Sequence, residues 1–103
     1  MNGVCGPREE LIQLLYLHGD VSARWLAGEA DLAGARARLA AWVTQQLRQR
    51  LHVKDERAVS EWRALAGEVR ARELTPQQCS ARHATVIGRL VEATRPGRER
   101  RAA

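Results

Sequence analysis

The sequence predicts an all-α fold, a small antiparallel helical bundle of about four helices. Apolar residues recur at helical spacing in several segments, helix-start signals precede those segments, and the alternation typical of strands is missing. The chain has 103 residues, which fit one hydrophobic core and leave no room for a second. We therefore predict one helical domain over residues 1–94 and a basic flexible tail at 95–103.

The first helix is predicted to begin at Pro7, because proline suits a first helical position and two glutamates follow in the first turn. Gly19 is predicted to end this helix in a left-handed conformation. Asp20 would then cap a short extra helix within residues 20–29. The prediction is therefore a bundle of about four helices, with or without this short extra helix.

The longest predicted helix begins at the cap residue Asp31 and continues to about His52. Arg36 is the anomaly of this helix, because it falls inside the apolar stripe. The stripe consists of Leu32, Ala35, Leu39, Trp42, Val43 and Leu47. The opposite side carries Arg38, Gln45 and Arg48.

Two further helices have stronger start signals. Asp55 is predicted to cap the third helix, and Thr75 with Gln78 forms a capping box for the fourth, which Pro96-Gly97 ends. On the third helix, Glu68 and Arg72 are spaced for an ion pair. The predicted buried residues of these two helices are Ala58, Val59, Trp62, Leu65, Ala66, Val69, Cys79, His83, Val86, Ile87 and Leu90.

Positive charge is concentrated in two parts of the chain. The net charge is +5, and residues 36–54 alone carry five basic residues and no acidic one. The tail at 95–103 adds four arginines and one glutamate. This asymmetry favours acidic partners or polyanions, and such attraction is weakened by salt.

Several classes of protein are disfavoured by composition. No apolar run approaches the length of a membrane span, so we expect no membrane partner. The first residues lack the basic start of a secretory signal, and two cysteines do not make a disulfide framework. The expected location is therefore the cytoplasm.

Catalytic and metal chemistry receive little support from residue spacing. None of His18, His52 and His83 has a nucleophile or carboxylate placed by sequence for acid–base work. Cys79 and His83 lie one turn apart, but the remaining ligand types show no paired spacing. We expect no enzyme activity, no catalytic residue, no metal, no cofactor and no small-molecule substrate.

Residues 11–22 resemble the first helix and turn of a winged-helix regulator, and a twenty-residue frame counted from Ala23 extends the likeness. Ala27 takes the fifth place, where a small residue must fit between two helices. The apolar places hold Leu26, Ala30, Leu32, Ala37 and Ala40. This segment resembles DNA-binding helix-turn-helix proteins in general, over about 30 of the 103 residues. It departs from them at Asp31, where glycine is usual, and in having no hairpin sequence for a wing.

We call the helix predicted from Asp31 to about His52 the basic helix. It would pack in one way in a DNA-binding helix-turn-helix protein and in another way in a simple helical bundle. A helix-turn-helix needs Ala37 and Ala40 turned inward and leaves Arg36 free to reach DNA. A simple bundle centres burial on Leu39 and Val43 and leaves Ala37 exposed.

The preferred hypothesis is a non-enzymatic helical interaction protein, an adaptor, inhibitor, chaperone or regulatory subunit that contacts another protein or a second copy. Trp25 is its candidate anchor, since aromatic side chains dominate binding hot spots. The alternative is a DNA-binding regulator that uses residues 20–50. Its candidate contacts are Arg36, Arg38, Gln45 and Arg48.

Overall fold

The computed structural model describes residues 6–96, which form four α-helices and contain no strand. The predicted all-α bundle is therefore confirmed. Apart from Arg95 and Pro96, the predicted tail at 95–103 lies outside the described residues. The helices are α1 (Pro7–Leu26), α2 (Ala33–Gln45), α3 (Glu56–Arg70) and α4 (Pro76–Ala93). A short 3₁₀ turn, Ala30–Leu32, precedes α2, and a π-helical turn, Gln46–Arg50, extends it.

The four helices are not packed equally. α1 lies at the centre and packs along both α4 and α2, while α3 packs along α4. α2 and α3 approach each other only sparsely, so the fourth side of the bundle is open. The core is built mainly from leucine, valine and Trp62, and Leu11, Leu15, Val43 and Leu65 are completely buried within it.

The predicted break at Gly19 and Asp20 is wrong, because α1 continues without interruption to Leu26. Residues 20–26 are the last two turns of α1 and not a separate helix. The chain turns instead at Gly28, whose φ of +120° suits glycine. The N–H groups of residues 28 and 29 donate to the carbonyls of Trp25 and Arg24, which is a Schellman ending. The buried stripe simply continues past residue 19, so no helix end is needed there.

The basic helix differs from the prediction in its cap and in its buried face. Asp31 does not cap α2, since it lies within the 3₁₀ turn and no side-chain cap is formed there. Val43 and Leu47 are buried as predicted, but Trp42 is 55% exposed and Gln46 is buried instead. A π-helical turn has more residues per turn than an α-helix, and it begins at Gln46. Trp42 precedes this turn and lies about 100° around α2 from the fully buried Val43, so it falls outside the buried face.

The starts of α3 and α4 are confirmed. The Asp55 carboxylate accepts a hydrogen bond from the Ala58 N–H at 3.1 Å, and Thr75 and Gln78 form the complete capping box. All five predicted apolar-face residues of α4 are buried, whereas Val59 and Ala66 of α3 are only half-buried. α4 ends at Ala93, slightly before the predicted end at Pro96-Gly97.

The predicted ion pair between Glu68 and Arg72 is not formed. Glu68 pairs with Arg82 of α4 at 2.6 Å. Arg72 lies just beyond the end of α3 with a φ of +57°, and its guanidinium lies 3.9 Å from the centre of the Trp25 ring. Since α3 ends at Arg70, positions 68 and 72 no longer share a helical face.

Gly19 of α1 lies close against the side chain of His83 of α4. A Cβ built on Gly19 would lie 3.1 Å from two ring carbons of His83. The His83 ring is held by hydrogen bonds on both nitrogens, so it has little freedom to withdraw. A Cβ at Gly88 of α4, by contrast, meets nothing within 4 Å.

We predict that Gly19→Ala lowers the free energy of unfolding by about 1–2 kcal/mol, since overpacking outweighs the gain in helix propensity. Gly88→Ala is the matched control and should be neutral or stabilising by up to about 1 kcal/mol. Urea denaturation of both variants measures the difference. Equal effects of the two substitutions would contradict the close approach of α1 and α4.

Candidate functional site

The five predicted site residues do not form one cluster. Arg38, Gln45 and Arg48 are exposed on the outer side of the basic helix, as the sequence predicts. Trp25 and Arg36 are buried, with 7% and 8% of their surfaces exposed. Trp25 therefore does not project from the surface as a binding anchor.

Trp25 and Arg36 are joined by their own contact. The Arg36 guanidinium lies 4.7 Å from the centre of the Trp25 ring, a cation–π geometry, and Arg72 lies over the same ring. Ala37 is exposed while Val43 is fully buried, so the packing is that of the simple bundle. Arg36 is accordingly not free to reach DNA in the way that a helix-turn-helix requires.

The exposed aromatic side chain of the basic helix is Trp42, a residue that the sequence pattern assigned to the core. Leu17 of α1 is also exposed, at 52%. α1 and α2 run antiparallel, and Arg50 pairs with Glu10 at 2.8 Å near their far ends. Leu17 follows Glu10 by seven residues and Trp42 precedes Arg50 by eight, so the two apolar side chains lie at the same height on adjacent helices.

We call the surface formed by Leu17, Arg38, Trp42 and Gln45 the Trp42 face. Arg38 lies one turn before Trp42 and Gln45 lies almost one turn after it, so both flank the indole on α2. Among the ion pairs seen within residues 6–96, none involves Arg38 or Arg48. The Trp42 face thus has an apolar centre, formed by Leu17 and Trp42, and the unpaired positive charge of Arg38 on its rim.

A second cluster of functional groups is buried between α1 and α4. His18 Nδ1 lies 2.7 Å from His83 Nε2, and His83 Nδ1 lies 2.8 Å from the Cys79 carbonyl oxygen. Because a carbonyl only accepts, His83 Nδ1 is the donor, and its Nε2 accepts the proton of His18 Nδ1. The Ser22 hydroxyl lies 3.4 Å from His18 Nε2 and Trp62 packs edge-on against the His18 ring.

Both histidines of this pair are neutral in the folded protein. Burial lowers the pKa of His18 to about 3, with smaller contributions from His83 and Arg36. Burial also lowers the pKa of His83, partly opposed by its hydrogen bond to the Cys79 carbonyl. Burial raises the pKa of the Cys79 thiol, which disfavours a reactive thiolate.

The histidine pair therefore acts as a structural link. His18 is completely buried and His83 is 3% exposed, which leaves little access for a substrate. Within residues 6–96, no three His, Cys, Asp or Glu side chains are grouped so that they could hold a metal ion. The residue spacing of Cys79 and His83 is explained by a hydrogen bond within α4.

Comparison with known proteins found no match to this chain. No protein-family model matches the chain, and neither a curated protein nor a solved structure does. Over residues 6–96, none of the helices is both long enough and apolar enough to cross a membrane. The class that fold and surface define is a small all-α bundle with an exposed tryptophan on a basic face.

The histidine pair makes stability depend on pH. The folded-state pKa of His18 lies below its ordinary value of 6.5, so the unfolded chain binds more protons once the pH falls below that value. We predict that the free energy of unfolding decreases on acidification from pH 6.5 to 5, by up to about 1.4 kcal/mol per pH unit for each histidine. This window lies above the range in which carboxylates are protonated.

Urea denaturation at several pH values measures this slope. His18→Gln should reduce it, whereas His52→Asn, at an exposed position with a φ of +50°, should leave it unchanged. An unchanged slope in His18→Gln would show that the pair does not cause the pH dependence. Chemical shifts of the ring protons then report whether the two rings remain neutral at pH 5.

Proposed function

We propose that this protein is a non-enzymatic interaction protein that binds another protein through the Trp42 face. The observation that carries the proposal is Trp42 itself, which is 55% exposed on a helix whose other large apolar residues, Leu39 and Val43, are half-buried and buried. Large aromatic side chains with an apolar neighbour are typical anchors of protein interfaces. An exposed apolar patch with a polar rim is the usual form of such a surface.

The charge around this face selects the kind of partner. Residues 36–54 contain five basic residues and no acidic one. A partner that presents an acidic, amphipathic helix would place apolar side chains on Leu17 and Trp42 and carboxylates beside Arg38. A second copy related by two-fold symmetry would instead bring the positive rims together, which costs energy. The proposed occupant is therefore a different protein with an acidic helix.

Duplex DNA is a second candidate partner for the same helix. Arg38, Gln45 and Arg48 are all exposed along its outer side, and phosphates would pair with the two arginines. The burial of Arg36 removes one of the contacts expected for this candidate. Duplex DNA would also place no apolar group against Trp42, so the central residue of the Trp42 face would have no role in binding.

We predict that Trp42→Ala weakens partner binding about 30-fold or more, the effect of losing a hot-spot side chain. A photo-crosslinking residue at position 42, introduced in the native host, identifies the partner by mass spectrometry. Calorimetry with that partner then measures the affinity of each variant. Tyr16→Ala is the matched control, because Tyr16 is another exposed aromatic side chain, at 63%, and lies outside the Trp42 face.

Three results would contradict the proposal. One is a crosslink to position 16 that captures the same proteins as the crosslink to position 42. Another is an equal loss of affinity in Tyr16→Ala and Trp42→Ala. The third is binding of duplex DNA that falls steeply with salt and is weakened by Arg38→Ala but not by Trp42→Ala, which would favour the DNA candidate.

A further inference from the structure

The open side of the bundle contains a groove between α2 and α3. The Trp62 indole N–H donates to the Thr44 hydroxyl at 3.1 Å and closes one end of the groove. Because α2 and α3 run in opposite directions, Ala40 lies opposite Ala66 about one helical turn from this contact. Arg36 lies opposite Arg70 about one turn further on. The groove is about 12 Å long by this spacing and encloses about 330 Å³.

The floor of the groove is lined by the smallest residues of both helices. Ala37 and Ala40 of α2 face Ala66 and Gly67 of α3. A Cβ at Gly67 would meet nothing within 4 Å, so the space above it is empty. Because these residues are small, they leave the space between the two helices unfilled, and the completely buried Trp62 lies beneath the floor.

Arg36 is the observation that indicates a ligand. This side chain is more than nine-tenths buried and lines the groove, yet its Nε atom has no hydrogen-bond partner. A buried N–H group without a hydrogen-bonding partner is costly, because its hydration is lost and not replaced. The contact with Trp25 compensates only part of this cost.

The positive charge in the groove is not balanced by carboxylates. Arg63 and Arg70 also line it, and none of the ion pairs seen within residues 6–96 involves Arg36, Arg63 or Arg70. Arg72 adds a fourth guanidinium behind Arg36, on the Trp25 ring. Three like charges around one small space attract an anion, whose binding would relieve their mutual repulsion.

We propose that this groove binds a small organic phosphate monoester. A dianionic phosphate balances a cluster of guanidinium groups better than a single carboxylate, and planar guanidinium groups pair with its oxygens in a bidentate manner. The alanine and glycine floor accepts the organic part of the ester. A volume of about 330 Å³ suits a small ligand. This site lies on the α2–α3 side of the bundle and does not depend on the Trp42 face.

Titration calorimetry with phenyl phosphate tests the proposal, at an ionic strength kept constant with sodium chloride. We expect saturable binding, amide shifts confined to α2 and α3, and inorganic phosphate bound at least several-fold more weakly. Arg70→Gln should weaken binding about ten-fold or more, since it removes a charge-assisted hydrogen bond from an exposed position that folding does not need.

Gly67→Leu should abolish binding by filling the groove, and circular dichroism verifies that the variant folds. Gly88→Leu is the matched control, because a Cβ at Gly88 also meets nothing within 4 Å but lies on the other face of the bundle. The proposal is wrong if phenyl phosphate gives no more effect than chloride, or if both leucine variants lose binding equally. Inorganic phosphate that binds as tightly as the ester would overturn the monoester assignment, and so would displacement of the ester by duplex DNA at physiological salt.

Discussion

The structure depends on one hydrogen bond, the buried contact between His18 of α1 and His83 of α4. It joins the central helix pair, and it fixes both ring tautomers because His83 must donate to a backbone carbonyl. The short distance requires glycine at position 19, where a side chain would meet the His83 ring. Trp62 packs edge-on against His18 and brings α3 to the same point. Three of the four helices therefore meet at this neutral, polar contact.

This arrangement explains why the bundle is open on one side. α2 is attached to α1 and α3 is attached to α4, so each outer helix is held by a different member of the central pair. The hydrogen bond between Trp62 and Thr44 joins these two outer helices directly. Small residues on both helices then leave a groove, while the other side of α2 carries the Trp42 face. One helix thus has two separate surfaces available for binding.

The parts of the fold that were predictable have local causes. Caps depend on a side chain within a few residues of the helix start, and the caps of α3 and α4 are readable from Asp55 and Thr75. The failures have causes outside the local pattern. Gly19 is required by a side chain 64 positions away, so its place in mid-helix cannot be read from its neighbours. Trp42 is exposed because it lies about 100° around α2 from the fully buried Val43, so it falls at the edge of the predicted stripe and outside the face that is buried. The residues that form the candidate surface were partly predicted, as Arg38 and Gln45, but its centre was not.

Arg36 shows why an anomaly in a pattern has more than one physical solution. From the sequence, a charge in an apolar stripe implies either strain against the core or a free side chain on a DNA-binding helix. The structure shows a third arrangement. The Arg36 guanidinium is buried against the Trp25 ring, and Arg36 borders the groove between α2 and α3. Burial lowers the pKa of Arg36, and the neighbouring charges of Arg70 and Arg72 lower it further. The Trp25 ring stands where a carboxylate would usually accompany a buried arginine, since a cation–π contact stabilises a guanidinium without adding negative charge. The positive charge of Arg36 therefore stays unneutralised beside the groove, and this is the property that the proposed anion would use.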